Sequence, residues 1–174
     1  KLLSGQASHK SERGGVELNL ADGAEVRTAS ARILARNGDL DSEGFLLQSM
    51  ASAGEEFIVG GRRDPSFGPV VMVGWGGIYV ELLADRALRL APLNRNQAAG
   101  MLKELKAYAL IQGMRGRPAL DEEALIECIC RVASLFEQVE GLDELDLNPV
   151  ILHEKGKGLS IVDARMSLRD HSSE

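Results

Sequence analysis

The chain has 174 residues, of which 44% are hydrophobic and 26% are charged, and its formal net charge is -6. This length and composition suit one globular domain or two small lobes with a real core. The basic residues are dispersed, which argues against a nucleic-acid partner, and no apolar run reaches the roughly 18 residues of a membrane helix. Because Cys128 and Cys130 are the only cysteines and no export signal is visible, the sequence favours a cytoplasmic location.

The first half of the chain predicts short strands around one helix. Asp22 provides a capping pattern for a helix that continues to about Arg36 and ends at the turn formed by Asn37 and Gly38. Alternating or continuous apolar residues between turn residues predict the strands. The predicted strands are residues 1–4, 16–20, 45–50, 56–59 and 70–73.

The second half predicts two helices followed by two strands. One helix begins at the capping pattern of Asn94 and ends at Gly113, and the next begins at Asp121 and ends at Gly141. In the second of these, the apolar residues Leu125, Ile129, Val132, Phe136 and Val139 form a buried stripe. Strands follow at residues 145–152 and 159–164. Because strands and helices do not alternate regularly, the pattern predicts an α+β fold with mixed or antiparallel sheets.

The last two predicted strands provide a candidate metal site. A two- or four-residue turn centred between Lys155 and Gly156 would place Asn148 opposite Asp163, with Asp146 on the same face as Asn148. Such hard oxygen ligands suit Mg²⁺, which keeps water and phosphate in its remaining positions. The alternative is that these are ordinary solvent-facing polar residues, and a turn of three or five residues would shift the register.

Glycine-rich loops and histidines give weaker signals. Gly14 and Gly15 could bring backbone N–H groups to a phosphate, or could simply form a tight turn. The glycines at positions 74, 76 and 77 suggest backbone that packs against a ligand or another strand, with a bulge or tight corner as the alternative. His9 could accept a phosphoryl group or be a solvated loop residue. His153 and His171 are expected at the surface.

Several runs, taken together and in order, carry a family resemblance. The segment KLLSGQASHKSERGGV at residues 1–16 resembles the pattern K-x-x-S-P-x-x-x-H-K-[ST]-D-x-G-G-V. The segments LQSM at 47–50, GEEFIVG at 54–60, RDPSFGP at 63–69, GWGGIYVE at 74–81 and GMRG at 113–116 match further family motifs. ELDLNP at 144–149 and VDAR at 162–165 complete the match. The chain thereby resembles the ATP-grasp domain of NDP-forming acyl-CoA synthetases, such as the β part of ADP-forming acetate–CoA ligase.

The resemblance implies a role for each matching residue. Lys1 would contact nucleotide phosphate, and the segment Leu47, Gln48, Ser49 and Met50 would line the adenine pocket. Gly14, Gly15 and Glu56 would also belong to the nucleotide site, and His9 would carry phosphate. Asn148 and Asp163 would bind Mg²⁺, with Asp146 as a neighbouring acid of that site. The implied cofactors are ATP or ADP and Mg²⁺.

The resemblance also implies an organisation and an activity. Residues 1–168 would form the ATP-grasp domain, with its first lobe missing or incomplete before Lys1, and residues 169–174 a polar tail. The domain would act with a CoA-binding α part in an oligomer, converting acid, CoA and ATP into acyl-CoA, ADP and phosphate. Gly5 and Glu12 depart from the family's Pro and Asp. The alternative function is a regulatory ligand-binding domain, as in some protein lysine acetyltransferases.

Overall fold

The computed structural model describes residues 1–3, 14–39, 42–77, 85–114 and 116–169. These residues belong to two compact units, residues 1–50 and residues 51–174. Each unit has its own elements and is described separately below. In the described part of the chain, no helix combines the length and the apolar character that crossing a membrane requires.

The first unit consists of a two-stranded sheet and one helix. Strand β1 (Leu2–Leu3) pairs antiparallel with β2 (Gly44–Phe45), and helix α1 (Gly23–Arg36) comes between them in the chain. The helix begins as predicted, because the Asp22 carboxylate accepts hydrogen bonds from two backbone N–H groups of the first turn. Ala29 and Ile33 are its buried residues.

Two predicted strands of the first unit are wrong or shorter than expected. Residues 16–20 form no strand, and Glu17 instead pairs with Arg32 of α1 at 3.0 Å. Leu18, an apolar residue of the alternating pattern, is 61% exposed, so the pattern does not mark the buried face of a strand. Of residues 45–50, only Phe45 belongs to a strand, because its partner strand β1 is only two residues long. Both predictions concern short segments, and a short segment forms a strand only where another strand is available to pair with it.

The second unit is built on a six-stranded antiparallel sheet. The strands are β3 (Glu55–Asp64), β4 (Gly68–Trp75), β5 (Arg86–Leu90), β6 (Leu142–Leu152), β7 (Leu159–Ile161) and β8 (Ala164–Leu168). They are arranged in the order β5-β4-β3-β6-β7, and β8 pairs with the same strand, β6, as β7 does. The prediction missed β5 and gave shorter versions of β3 and β4.

Helices of the second unit pack against one face of its sheet. They are α2 (Arg95–Glu104), α3 (Tyr108–Ile111) and α4 (Glu122–Gln138). The predicted stripe of α4 is buried at four of its five positions, whereas Val139 is 39% exposed because the helix has ended before it. Phe136 of α4 lies against Gly61 of β3, so the odd-numbered residues of β3 face the helices. The even-numbered residues therefore face the opposite side.

The helix predicted from Asn94 to Gly113 is interrupted. Its N-terminus forms the predicted capping box of Asn94 and Gln97, but α2 ends at Glu104. The buried carboxylate of Asp85 accepts hydrogen bonds from the backbone N–H groups of Lys106 and Ala107, at 2.7 and 3.0 Å. These amides would otherwise bond to carbonyl groups of the preceding helical turn. The side chain of Asp85, which lies 21 residues before Lys106 and 22 before Ala107, therefore ends the helix.

The last residue that the structure describes, Arg169, contacts residues at the start of β6. Arg169, the first residue of the predicted tail, donates its backbone N–H to the carbonyl oxygen of Gly141 at 2.8 Å. Its guanidinium group pairs with Asp143 at 3.1 Å. Residues 170–174, including His171, lie outside the described residues.

Candidate functional site

The hairpin that carries the candidate metal ligands has the predicted register. Asp146 pairs with Arg165, and Leu147 pairs with Ala164, as a turn centred between Lys155 and Gly156 requires. The turn is the two-residue type, because the N–H of Lys157 donates to the carbonyl oxygen of Glu154 at 2.9 Å. Gly156 has a φ of 82°, a value that residues with a Cβ rarely adopt.

Asn148 and Asp163 are directly opposed across this hairpin. The backbone N–H of Asn148 donates to the carbonyl oxygen of Asp163 at 3.1 Å, in the gap between β7 and β8. On its other side, β6 has a bulge, since Asn148 and Pro149 together stand opposite Ile58 of β3. Bulges re-aim side chains and are common beside active sites. Both Asn148 and Asp163 are exposed, so their oxygen atoms are accessible to a ligand.

Asp146 is the third member of this cluster and has a different environment. It is half-buried between the buried residues Leu145 and Leu147, as strand alternation requires. Burial is the main cause that raises the pKa of the Asp146 carboxyl, and the negative charges of Glu144 and Asp163 raise it further, against the opposing effect of Arg165. The cluster is therefore a site of concentrated negative charge, which favours a cation.

The donor set of the hairpin fits Mg²⁺, which needs few ligands from the protein. Within the described residues, no group of three or more His, Cys, Asp and Glu side chains is placed to hold a metal ion. The hairpin instead offers the amide oxygen of Asn148 and the carboxylate of Asp163, with Asp146 beside them. Magnesium is commonly bound by one or two carboxylates, with substrate phosphates and water completing its octahedron.

Two polar side chains, the partly buried Asp121 and the buried His153, hold the tip of the hairpin in place. The Asp121 carboxylate caps α4 through the N–H of Ala124 and also accepts the N–H of Gly158 at 2.8 Å. His153 is only 8% exposed, so its predicted surface position is wrong. Its ring nitrogens contact the carbonyl oxygen of Ala53 at 3.2 Å and the hydroxyl of Ser160 at 2.9 Å. These contacts fix the hairpin relative to α4 and to the segment that precedes β3.

In the first unit, the structure brings two predicted nucleotide-binding elements together. The N–H of Leu46 donates to the carbonyl oxygen of Lys1 at 2.8 Å, so Lys1 lies beside the start of the segment predicted to line the adenine pocket. Along that segment, Leu47 is 70% exposed and Met50 is 55% exposed. Gln48 and Ser49 between them are also exposed. Exposed apolar side chains in such a segment are available to a planar ligand.

The glycine pair of the first unit has a structural contact of its own. The carbonyl oxygen of Gly15 accepts the N–H of Leu2 at 2.8 Å, which joins this loop to β1. Gly14 has a φ of 66°, and a Cβ there would lie 3.3 Å from the Arg36 side chain. The loop therefore needs glycine for its fold, and a phosphate-binding role remains a prediction. His9 lies outside the described residues.

Glu56 of the second unit lies beside the second glycine-rich segment. The N–H of Gly76 donates to the carbonyl oxygen of Glu56 at 2.7 Å, and a Cβ on Gly77 would lie 3.0 Å from a Glu56 carboxylate oxygen. A Cβ on Gly74 would lie 2.9 Å from the carbonyl oxygen of Asp85. The sequence left open whether these glycines pack against a ligand or against another strand. The structure packs Gly74 and Gly76 against neighbouring backbone.

A cavity that the sequence analysis missed adjoins the hairpin that carries the candidate metal ligands. It has a volume of about 390 Å³ and lies on the sheet face opposite the helices of the second unit. Arg62, Met72, Leu88 and Glu144 line it together with Asp146. The available signal was the alternation along β3, which assigns the even-numbered residues to this face.

Comparison with known proteins places these features in a family. The ATP-grasp domain family matches residues 1–168. A 4-hydroxybutyrate–CoA ligase (ADP-forming) of Nitrosopumilus maritimus is 42% identical over 97% of this chain and 25% of its own length. The β subunit of acetate–CoA ligase (ADP-forming) I of Pyrococcus furiosus is 41% identical over 97% of this chain and 73% of its own length. The chain therefore belongs to the ATP-grasp domain family, in the branch that contains ADP-forming acyl-CoA ligases.

Solved structures support the same assignment. Dinucleotide-forming acetyl-coenzyme A synthetase 1 of Ca. Korarchaeum cryptofilum, in complex with coenzyme A and Ca-AMPCP, has a TM-score of 0.90 at 43% identity, covering 97% of this chain and 75% of that chain. A second structure of it, with coenzyme A and Mg-AMPPCP, has a phosphohistidine segment pointing towards the nucleotide binding site, and its TM-score is 0.81. The predicted α+β, ATP-grasp fold is confirmed. The chain spans about a quarter of the hydroxybutyrate ligase.

Proposed function

We propose that this chain is the nucleotide- and magnesium-binding domain of an ADP-forming acyl-CoA ligase. The observation that carries the proposal is the pairing of Asn148 with Asp163 across the β6–β8 hairpin, at the register that opposes two oxygen ligands. The family membership and the relatives' names support an ADP-forming acid–CoA ligase, and one solved neighbour has a phosphohistidine segment. In the proposed reaction, acid, CoA and ATP give acyl-CoA, ADP and phosphate through acyl phosphate and phosphohistidine. A CoA-binding part, in the same or another chain, and an oligomeric assembly complete the proposal.

Each group of residues has a part in this proposal. In the first unit, Lys1 binds nucleotide phosphate and the segment 47–50 contacts the adenine ring, with Gly14 and Gly15 as the phosphate-side loop. In the second unit, Glu56 belongs to the nucleotide site. We also assign His9 as a carrier of phosphate on the strength of the family motif alone.

The metal hairpin provides the electrostatic part of the mechanism. Asn148 and Asp163 would hold Mg²⁺, and Asp146 would add negative charge beside them. An ion held there would supply charge neutralisation at the phosphates during phosphoryl transfer. The contacts of Asp121 and His153 with the hairpin keep the two ligand positions in register, so little reorganisation is needed when nucleotide arrives. The cytoplasm provides the reducing conditions that suit the free thiols of Cys128 and Cys130.

Calorimetric titration of Mg·ATP tests this proposal in the ligase formed by this chain and its CoA-binding part. Replacing Asp163 with Ala should weaken binding at least about tenfold, since even groups that only support metal ligands contribute 10- to 100-fold. The matched control is Glu154→Ala, which removes an exposed carboxylate from the same hairpin and should change the affinity less than about twofold. Unchanged binding in Asp163→Ala would reject the hairpin site, and no binding by the unaltered protein would reject the function.

A further inference from the structure

The outer edge of strand β8 is open. The strand pairs with β6 on one side, and no described residue makes a hydrogen bond to its other side. The carbonyl oxygen of Asp163 and the N–H of Arg169, which flank the strand, both bond toward β6. Because such bonds alternate along an antiparallel strand, Ala164, Met166 and Leu168 direct their N–H and C=O groups away from β6. All of β8 is exposed, so this row of donors and acceptors is accessible to another chain.

The opposite edge of the same sheet is protected. Helix α2 packs against the edge strand β5. The guanidinium group of Arg89 in β5 donates to the carbonyl oxygen of Leu88 at 2.8 Å and pairs with Glu104 of α2. Proteins commonly cover or charge an edge strand in this way, because an uncovered edge pairs with other chains. The contrast between the two edges favours a pairing partner for β8.

The open edge also has an apolar strip on the helix side of the sheet. Ile161, Met166 and Leu168 are 49%, 66% and 61% exposed. Helix α4 packs against β3, β4 and β6, and the strip extends the buried layer beyond that helix. The residues of β6 that pair with the strip are all buried, namely Val150, Leu145 and Leu142. Exposed apolar residues that continue a buried layer are typical of an interaction surface.

We propose that β8 pairs with β8 of a second copy of this chain, antiparallel and centred on Met166. The contact joins two sheets into one and is symmetric. A two-fold axis perpendicular to the joined sheet keeps every side chain on its own face, so one residue has to lie opposite itself. On the helix side, Met166 then meets Met166 of the second copy, and Leu168 meets Ala164. The inference rests on the proposed function in that it supplies the contact for the oligomeric assembly named there.

Strand length and charge select this register. Met166 is the middle residue of β8, so only this register pairs the strand with itself along its whole length. It also places Arg169 opposite Asp163 at both ends, and Arg165 opposite Ser167. Moving the centre to Arg165 would oppose the two copies of that arginine, and moving it to Ser167 would oppose Arg165 and Arg169. Like charges directly opposite each other destabilise a sheet, whereas opposite charges stabilise it.

The two charged end residues can make this contact and keep their other interactions. Within its own chain, Arg169 uses Nε to donate to Asp143 at 3.1 Å. A guanidinium group has further N–H donors on its two terminal nitrogens, which are available to Asp163 of the second copy. A carboxylate has two oxygens, so Asp163 can accept from that guanidinium and still offer an oxygen to a metal ion.

Single cysteine variants test the pairing in the ligase formed by this chain and its CoA-binding part. Opposed residues at Met166 would have Cα atoms about 5.5 Å apart, which suits a disulfide bond. Under mild oxidation Met166→Cys should therefore form a cross-linked dimer that the unaltered protein, with only Cys128 and Cys130, does not form. Arg165→Cys and Ser167→Cys are the matched controls. Each would lie diagonally across from its own counterpart, about 7–8 Å away, which is too far for a disulfide bond.

A charge reversal tests the register independently. In the Met166→Cys protein, Arg169→Glu would place like charges opposite each other at both ends of the paired strands. It should slow cross-linking roughly tenfold, because two attractive pairs become repulsive pairs. The control is Arg86→Glu, which reverses an exposed arginine on the protected edge strand β5 and should change the cross-linking rate less than about twofold.

Each result either supports or overturns the pairing. Cross-linking of Met166→Cys no greater than that of the unaltered protein, or no greater than that of Arg165→Cys or Ser167→Cys, would overturn it. So would equal cross-linking rates for the two charge reversals. Calorimetric titration of Mg·ATP into the unaltered ligase separates this failure from that of the proposed function. Normal nucleotide binding without cross-linking rejects the pairing alone, and cross-linking without nucleotide binding rejects the nucleotide function alone.

Discussion

Asp121 links helix α4 to the hairpin that carries the candidate metal ligands, and replacing it should loosen both. One carboxylate oxygen accepts the N–H of Ala124 at 3.3 Å and so caps the helix. The other accepts the N–H of Gly158 at 2.8 Å, just after the hairpin turn. The backbone N–H of Asp121 donates to the carbonyl oxygen of His153 at 2.9 Å, which adds a contact that mutation of the side chain leaves in place.

The size of the effect follows from these two hydrogen bonds. Loss of an N-cap side chain costs about 0.5–2 kcal/mol. Loss of a hydrogen bond to a charged group in a partly buried site costs about 1.5–3 kcal/mol. The two terms share one side chain and are not additive, so Asp121→Ala should lower the free energy of unfolding by about 2–4 kcal/mol. Asp121→Asn keeps one acceptor oxygen and should lose about 1 kcal/mol.

Urea unfolding and amide hydrogen exchange together measure this prediction. The unfolding midpoint gives the change in stability when the urea dependence is unaltered, and the exchange rate of the Gly158 amide reports the hairpin itself. Asp121→Ala should speed that exchange more than Asp121→Asn does. The reasoning is refuted if Asp121→Ala stays within about 0.5 kcal/mol of the unaltered protein, the range of ordinary surface substitutions, or if Gly158 exchange does not change.

Two further predictions concern single positions in the second unit. Gly54→Ala should destabilise the protein by about 1–3 kcal/mol in urea unfolding, because the added Cβ would lie 2.5 Å from a backbone carbonyl oxygen. Gly100→Ala in α2, where a Cβ meets nothing within 4 Å, should instead stabilise by up to about 1 kcal/mol, and equal effects would contradict the steric argument. The backbone N–H groups of Ser66 and Phe67 hold the pKa of the Asp64 carboxyl below its usual range. Its contribution to stability is therefore complete above the unfolded pKa of about 3.9 and is lost as the pH falls through the lower folded pKa. Urea midpoints measured from pH 6 to about 2.5 should fall less steeply in Asp64→Ala, and identical slopes would exclude this contribution.

Local signals in the sequence correctly predicted the elements whose stabilising contacts are close in the chain. Asp22 and Asp121 cap their helices through amides two or three residues away, and such contacts can be read from spacing alone. The two-residue turn at Lys155 and Gly156 fixed the register of the last hairpin, so the pairing of Asn148 with Asp163 followed from counting.

Contacts between distant parts of the chain decided the features that the sequence analysis missed. The strand expected at 16–20 is absent, and Glu17 of that segment pairs with Arg32 on a helix rather than with a strand. Asp85 ends α2 by taking the amides of Lys106 and Ala107, and periodicity carries no trace of that competition. The cavity lined by Arg62, Met72 and Leu88 depends on the alignment of several strands in one sheet, and no single strand pattern predicts such an alignment.

The sequence by itself determined the helix starts, the hairpin register, the family motifs and hence the positions of the candidate ligands. The helix starts and the hairpin register depend on hydrogen bonds within a few residues, whose geometry is nearly independent of the rest of the molecule. Only the tertiary structure decided that His153 is buried, between Ser160 and Ala53, which is 100 residues away in the chain. It also decided that Asp146 has a raised carboxyl pKa, because burial and the fields of neighbouring charges depend on which strands come together.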